Sequence, residues 1–205
     1  MTESTTPIGT IYLLINSPRS AIYPALIKYL GLNIAITDNR QPHFSEAFPL
    51  HKCPAFESKD GWKLHETLAI MEYFISLKPQ CKYNFWGNSP RQKAKVWQWL
   101  SFTNTDCVAS VARLVYGSST PESITANQAV VERNLLEFDA QLCKTAYLTG
   151  SECTLADVFA AFLFAPFIDK SFMKTFLLAH PITKKWLQNL FDNEKIVSPF
   201  LKDKI

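Results

Sequence analysis

A hydroxyl group near the start of a predicted helix is the first feature of this sequence that could do chemistry. Ser17 and Pro18 follow a short β-branched run at residues 10–15. Serine is a favoured N-cap residue and proline is tolerated at the first helical position, so we predict that a helix begins here. Free N–H groups at such an end stabilise an anion such as a thiolate, and the Ser17 hydroxyl could donate a hydrogen bond to a bound thiol. The alternative is that Ser17 only caps the helix.

A proline at the start of a strand is the second feature. Lys52 and Cys53 precede Pro54, which opens a short predicted strand. A cis proline at such a position leaves the N–H and C=O groups of the preceding residue free to pair with an extended, peptide-like ligand. The alternative is a trans proline on an edge strand. Because the sequence places no histidine or helix N-terminus beside Cys53, we expect an inert thiol there rather than a catalytic one.

An acidic residue followed by threonine is the third feature. Glu66 and Thr67 stand at the start of an amphipathic stretch, where they could cap a helix. They could also bind an amino-acid-like group, because the Glu66 carboxylate suits an ammonium and the Thr67 hydroxyl and N–H suit a carboxylate. The candidate site residues are therefore Ser17, Lys52, Cys53, Pro54, Glu66 and Thr67.

Alternating strands and helices are expected to position these residues. The pattern predicts a β-α-β unit with a right-handed parallel crossover, and then a β-β-α unit with an antiparallel hairpin at Asp60–Gly61. The predicted strands are residues 10–15, 33–37, 53–57 and 62–64. The predicted helices run from Ser17–Pro18 to Gly31, with Pro24 able to bend the first turns, and from residue 66 to 77. Residues 38–50 are expected to be irregular.

The fold class that follows is α/β plus all-α. The first half is typical of a thioredoxin-like domain, predicted over residues 9–79. We predict a linker at residues 80–90, which follows Pro79 and contains Pro90 and a Gly-Asn turn. Every strong signal after it is helical, so residues 91–205 are predicted to form an all-helical domain that opens with a long helix at 91–116.

Three further helices are expected in the second half. One begins at Pro121 and carries a near-heptad apolar stripe of Ile124, Val131, Leu135, Phe138 and Leu142. Thr154 and Asp157 form a predicted capping box, a structural feature, before a helix so apolar that it must be buried on all sides. A last helix begins at His180–Pro181 and carries Ile182, Trp186 and Leu190.

Composition argues against several classes of function. A net charge of +3 in 205 residues is too small to indicate a nucleic-acid-binding surface. The longest apolar stretch, residues 158–168, is too short to cross a membrane. The five cysteines show no metal-ligand or redox spacing, so we expect no metal and reduced thiols in a cytosolic protein.

In this order, the three features resemble the glutathione transferase fold, and the resemblance covers about residues 9–203. It implies that Ser17 is the catalytic hydroxyl, that Pro54 is a cis proline, and that Glu66 and Thr67 are the acidic and hydroxyl pair of the glutathione site. The Thr154–Asp157 box matches the capping box of that family's buried helix, which concerns folding rather than activity.

Within this fold, the sequence is more similar to one branch, the gamma subunit of the eukaryotic translation elongation factor 1 complex. The segments that carry this resemblance are residues 48–56, 61–66, 98–106 and 198–203, together with His180–Pro181 and Trp186. It implies a cytoplasmic scaffold in protein synthesis that binds the exchange-factor subunit of the complex or aminoacyl-tRNA synthetases, without direct contact to nucleic acid. That family continues into a lysine-rich linker and a second domain, so we expect either its first domain alone or a free-standing relative. Cys53 stands where that family commonly has valine.

The alternative implied function is an enzyme that conjugates glutathione to electrophiles, in detoxification or stress response, with glutathione as substrate and no other cofactor. Lys52, the Cys53 backbone, Glu66 and Thr67 would hold the extended tripeptide, and Ser17 would hydrogen-bond its sulfur. The electrophile would lie against residues of the helical half, such as Trp97 or Tyr116. The fold also implies a homodimer formed through the first half and the fourth and fifth helices.

Overall fold

A four-stranded mixed sheet organises the first part of the chain. The computed structural model describes residues 6–117 and 120–205, and the chain divides into two units, the first ending at Lys82 and the second beginning at Tyr83. The sheet has the order β2-β1-β3-β4. Its strands are β1 (Gly9–Leu13), β2 (Ala35–Asp38), β3 (Ala55–Ser58) and β4 (Lys63–His65). β1 is parallel to β2 and β3 is antiparallel to β4, as the sequence predicts, and β1 is antiparallel to β3.

The helices of the first unit are α1 (Tyr23–Leu30), α2 (Pro42–Ala47) and α3 (Thr67–Ser76). The prediction that the first helix starts at Ser17–Pro18 is wrong, because the chain passes through successive turns before α1 begins at Tyr23. Pro24 is the second residue of α1, where its missing N–H costs nothing. It therefore helps to start the helix instead of bending it. Gly31 ends α1 in the left-handed conformation, as expected.

Helix α2 was not predicted, since residues 38–50 were expected to be irregular. Pro42 begins this short helix, and Phe44, Ala47 and Phe48 lie on its buried side. They pack with Tyr12 of β1 and Ala55 of β3 into a small aromatic cluster, in which the rings of Tyr12 and Phe44 are 5.3 Å apart. The tertiary burial of this apolar face therefore stabilises a helix that is too short to form by propensity alone.

The core of the first unit lies between the sheet and helices α1 and α3. Ile11, Phe56, Tyr23 and Phe74 are fully buried there. The ring of Phe74 meets those of Phe56 and Tyr23 edge to face, at 5.2 and 5.9 Å between centroids. The Tyr23 hydroxyl donates a hydrogen bond of 2.8 Å to the Thr67 carbonyl, so α1 is tied to the first residue of α3.

The main elements that the structure describes in the second unit are helices. These are α4 (Pro90–Phe102), α5 (Val108–Tyr116), α6 (Pro121–Leu142), α7 (Leu155–Phe164), α8 (Ser171–Ala179), α9 (Pro181–Asn193) and α10 (Ser198–Leu201). A π-helical turn, Thr103–Cys107, interrupts the single long helix predicted over 91–116. Helices α8 and α10 were not predicted. The predicted stripe of α6 is wrong at Ile124, which is exposed because only the C-terminal part of the helix meets the core.

The carboxylate of Asp157 is the polar centre of the second unit. Every residue of α7 is buried, and the predicted capping box with Thr154 is present at its start. Asp157 accepts hydrogen bonds from the Thr154 N–H and hydroxyl, and from the Leu148 N–H and the Trp186 indole N–H at 2.9 and 3.2 Å. Burial raises the pKa of this carboxyl to about 6, against the effect of these donors.

A second polar cluster joins α6 to the start of α9. Asp139 accepts hydrogen bonds from the Thr183 N–H and hydroxyl, and His180 Nδ1 lies 2.6 Å from the same carboxylate. On its other side, His180 Nε2 lies 3.2 Å from Glu132 in an ion-pair arrangement. Burial lowers the pKa of His180, but the two carboxylates outweigh it, so the pKa is raised above 6.5. His180 therefore favours its charged form in the folded chain.

Replacing Asp157 by alanine should lower the free energy of unfolding by about 3 kcal/mol, because at least two buried donors lose their acceptor. Urea unfolding followed by circular dichroism measures this change. Asp169 is the matched control, since its carboxylate is mostly exposed and forms an ion pair with the exposed Lys204. D169A should change stability by less than about 0.5 kcal/mol. Equal effects of D157A and D169A would contradict the role given to Asp157.

His180 should make stability depend on pH above 6.5. Its pKa is raised on folding, so its contribution is complete below pH 6.5 and is lost as pH rises through the folded value. The unfolding free energy of the unmodified chain should therefore fall from pH 6.5 toward about pH 8, below the ordinary range of cysteine. H180Q should be less stable at pH 6.5 and should show a flatter profile. An unchanged slope in H180Q would contradict this account.

Candidate functional site

Ser17 lies in the turns between β1 and α1. Its N–H donates to the Leu14 carbonyl and its carbonyl accepts from the Ser20 N–H, at 3.1 and 3.0 Å. The side chain is half-buried, and no described residue hydrogen-bonds to its hydroxyl. Because α1 begins six residues later, Ser17 gains no helix N-terminus beside it. Any effect of Ser17 on a bound anion would come from the hydroxyl itself.

The neighbouring Ser20 has a structural role that sequence analysis missed. Its hydroxyl is buried and accepts a hydrogen bond of 3.1 Å from the Leu14 N–H. This contact fixes the turns after β1 and leaves Ser17 on their accessible side. The bond joins residues six apart, beyond the reach of the local turn motifs of serine, so the local sequence contains no signal for it.

The Cys53–Pro54 peptide bond is cis, the first of the two alternatives that the sequence allowed. The ladder between β1 and β3 ends at the pair Tyr12–Ala55, so Cys53 lies beyond the last paired residue and its backbone groups take no part in the sheet. Lys52 is exposed. Burial against the aromatic cluster raises the pKa of the Cys53 thiol to about 11, so the thiol stays protonated at neutral pH.

Glu66 occupies an unusual backbone conformation just before α3. Its φ of 77° lies in the left-handed region, which non-glycine residues adopt rarely and often at functional sites. The side chain of Glu66 is exposed, whereas Thr67 is buried as the first residue of α3. The N–H of Thr67 is one of the helix-terminal donors without a partner inside the helix, so it is available to an anionic group.

The sheet register brings these positions together. Ala55 pairs with Tyr12 on one side and with His65 on the other. Because β1 is antiparallel to β3, and β3 to β4, the end of β1, the start of β3 and the end of β4 lie at one edge of the sheet. The turns with Ser17, the cis proline and Glu66–Thr67 therefore share that edge.

Arg19 is a member of this edge that sequence analysis missed. It is half-buried, and burial lowers the pKa of its guanidinium while the nearby negative charge of Glu66 opposes that effect. The same charge, after burial, helps to raise the pKa of Tyr23. The Tyr23–Thr67 hydrogen bond holds the turns after β1 beside the start of α3, and Arg19 lies near enough to Glu66 for their charges to attract. The only signal in the sequence that Arg19 belongs to the site was its position two residues after Ser17.

Exposed apolar side chains border the same edge. Leu14 and Ile15 follow β1 and are 48% and 63% exposed, and Leu50 precedes the cis proline and is 63% exposed. A peptide-like ligand with an apolar or thiol end could lie between the polar groups and these side chains. In residues 6–117 and 120–205 no group of three or more histidine, cysteine, aspartate or glutamate side chains is arranged so that it could hold a metal ion. No helix in those residues is both long and apolar enough to span a membrane.

Both halves of the chain match known family models. Residues 8–76 match the glutathione S-transferase N-terminal domain, and residues 98–194 match the C-terminal domain. The chain is 35% identical to elongation factor 1-gamma of Schizosaccharomyces pombe over 162 residues, which cover 74% of this chain and 39% of that protein. It is 31% identical to glutathione S-transferase Y-2 of Pichia kudriavzevii, over 77% of this chain and 82% of that protein.

Among solved structures, the GST-like domain of elongation factor 1-gamma from Saccharomyces cerevisiae superimposes with a TM-score of 0.81 at 25% identity, covering 98% of this chain and 95% of that one. The chain spans only about half the length, or less, of the elongation factor 1-gamma relatives that it matches. The thioredoxin-like sheet, the helical second unit and both family models agree. The chain belongs to the glutathione S-transferase family.

Proposed function

We propose that this chain acts as a glutathione-transferase-like domain of the elongation factor 1-gamma type, a protein-interaction scaffold in translation elongation. The observation that carries the proposal is the match to the GST-like domain of yeast elongation factor 1-gamma over nearly the whole chain. The 35% identity to the fission-yeast elongation factor supports it independently. The weak net charge of +3 favours protein partners over nucleic acid.

The proposed partners are the exchange-factor subunit of the elongation factor 1 complex or aminoacyl-tRNA synthetases. The proposed location is the cytoplasm, where these partners work and where five unpaired cysteines would stay reduced. We also infer a homodimer, since proteins of this family commonly pair through the first half and the first helices of the second. Direct contact with nucleic acid is not part of the proposal.

A pull-down tests the scaffold function. The tagged chain should recover the exchange-factor subunit or aminoacyl-tRNA synthetases from a yeast lysate, and should retain an untagged copy of itself when the two are co-expressed. The matched control bait is the Pichia transferase, which has the same fold at 31% identity. Recovery of neither partner by a folded bait would contradict the scaffold function, as would equal recovery by the control. Failure to retain the untagged copy would contradict the dimer.

Glutathione conjugation is the second candidate function, and the shared edge of the sheet favours it. The exposed Glu66 carboxylate suits the ammonium of the γ-glutamyl group, and the Thr67 N–H suits its carboxylate. The free backbone of Cys53 would pair with the tripeptide, with Lys52 near its carboxylate. The Ser17 hydroxyl would donate a hydrogen bond to the sulfur and so favour the thiolate, which attacks an electrophile.

Calorimetry and turnover with a chloronitrobenzene test this second function. E66Q should weaken glutathione binding about tenfold, because a charge-assisted hydrogen bond to the ammonium is lost. S17A should keep binding within about twofold and lower turnover at least tenfold. Ser45 is the matched control, an exposed serine of α2, and S45A should change neither quantity. Absence of any glutathione binding by the unmodified chain would overturn the enzyme function, and unchanged turnover of S17A would remove Ser17 from it.

A further inference from the structure

A groove runs between helices α6 and α8 of the second unit. Thr125, Ala129 and Glu132 line one wall, and Phe172 and Phe176 line the other. We call this feature the α6–α8 groove. Its α6 residues recur about once per turn, so the wall follows the helix for about 10 Å. Such a length suits a segment of polypeptide.

The α8 wall of the groove is apolar and lies on the side of the helix that the core does not cover. Met173 and Leu177, each one residue after a phenylalanine of the groove, bury the neighbouring side of α8 in the core. Phe172 and Phe176 are only half-buried, and their rings meet edge to face at 6.5 Å between centroids. Leu136, one turn beyond Glu132 on α6, is 53% exposed. The two half-exposed rings, in contact with each other, give the groove an apolar wall that favours association with another molecule.

The α6 wall carries an uncompensated negative charge. The Glu132 side chain is 44% exposed, and its carboxylate lies 3.2 Å from His180 Nε2. His180 also pairs with Asp139, whose carboxylate oxygens accept hydrogen bonds from the Thr183 N–H and hydroxyl. One histidine cannot neutralise two carboxylates in either protonation state, and its shorter contact, 2.6 Å, is to Asp139, so Glu132 is the less compensated of the two. No lysine or arginine within the described ranges forms an ion pair with Glu132.

We propose that the α6–α8 groove binds a basic segment of a partner protein, with a lysine or arginine on Glu132 and an adjacent apolar side chain on Phe172 and Phe176. A cation in the groove meets a carboxylate on one wall and aromatic rings on the other, so both walls favour it. An acidic segment would meet the unbalanced charge of Glu132. The proposal rests on the scaffold function proposed above and adds the surface and the chemistry of the partner.

Fluorescence anisotropy with labelled peptides tests the groove directly. The probe is an amphipathic helix of lysine and leucine, and its counterpart carries glutamate at every lysine position. The lysine peptide should bind the unmodified chain, and E132Q and F176A should each weaken that binding at least fivefold. Glu137 is the matched control, an exposed carboxylate of α6 outside the groove, and E137Q should stay within twofold. Thermal unfolding of each variant shows that it is folded.

Equal binding of the two peptides would overturn the proposal, as would equal effects of E132Q and E137Q. F176A keeps the test valid if E132Q disturbs His180, because the Phe176 ring takes no part in that cluster's hydrogen bonds and the bond from the His180 N–H to the Phe176 carbonyl is made by the backbone. In the lysate pull-down, loss of the partner with F176A and its retention with E137Q would support the groove. Retention of the partner by F176A would overturn the groove and leave the scaffold function standing. Loss of self-association in F176A would instead identify a second copy of the chain as the occupant and overturn the proposal.

Discussion

The pairing of Ala55 with strands on both sides is the constraint on which the candidate site depends. Its partners are Tyr12 of β1 and His65 of β4, and the three flanking segments hold the residues that could bind a ligand. A shift of one residue in this register would turn every side chain of β3 to the other face of the sheet. Phe56 would then leave the core, where it contacts Phe74, so burial of this ring helps to fix the position of the site. The binding edge is in this sense specified by the hydrophobic core.

The second unit has a comparable centre in Asp157, although there the constraint is polar. A carboxylate that is removed from water is costly unless several donors surround it. Thr154, Leu148 and Trp186 supply those donors from the helix start, the preceding loop and α9. The cluster thus fixes the positions of these three segments relative to one another. Apolar packing alone would fix those positions less precisely. The neighbouring cluster of Asp139 and His180 does the same for α6 and α9, and leaves its surplus charge at the surface.

Much of the fold could be predicted from the sequence, because local signals and tertiary packing agree there. Three elements have sequence patterns that are compatible with a single local structure: helix α3, the Asp60–Gly61 hairpin and the buried helix after Thr154. The start of α1 could not be predicted correctly, since Ser17 and Pro18 satisfy the rules for a helix start, whereas the true start has Ile22 as its N-cap, without a side-chain cap, and only Pro24 as a signal. Helix α2 depends on burial against Tyr12, a residue thirty positions earlier, which no local pattern contains. Arg19 joins the site through its attraction to Glu66, a long-range effect of the same kind.

The π-helical turn at Thr103–Cys107 changes the phase of the long helix. Such a turn holds one more residue than an α-helical turn, and each residue of an α-helix advances by about 100°. The apolar stripe therefore rotates between α4 and α5, and these two segments pack against different neighbours, α7 and α6 respectively. Thr105 supports the change of phase by donating its hydroxyl to the Ser101 carbonyl. The continuous helical segment from α4 to α5 therefore packs against two neighbours at different angles. A single helical wheel drawn over its whole length would not align its buried side chains.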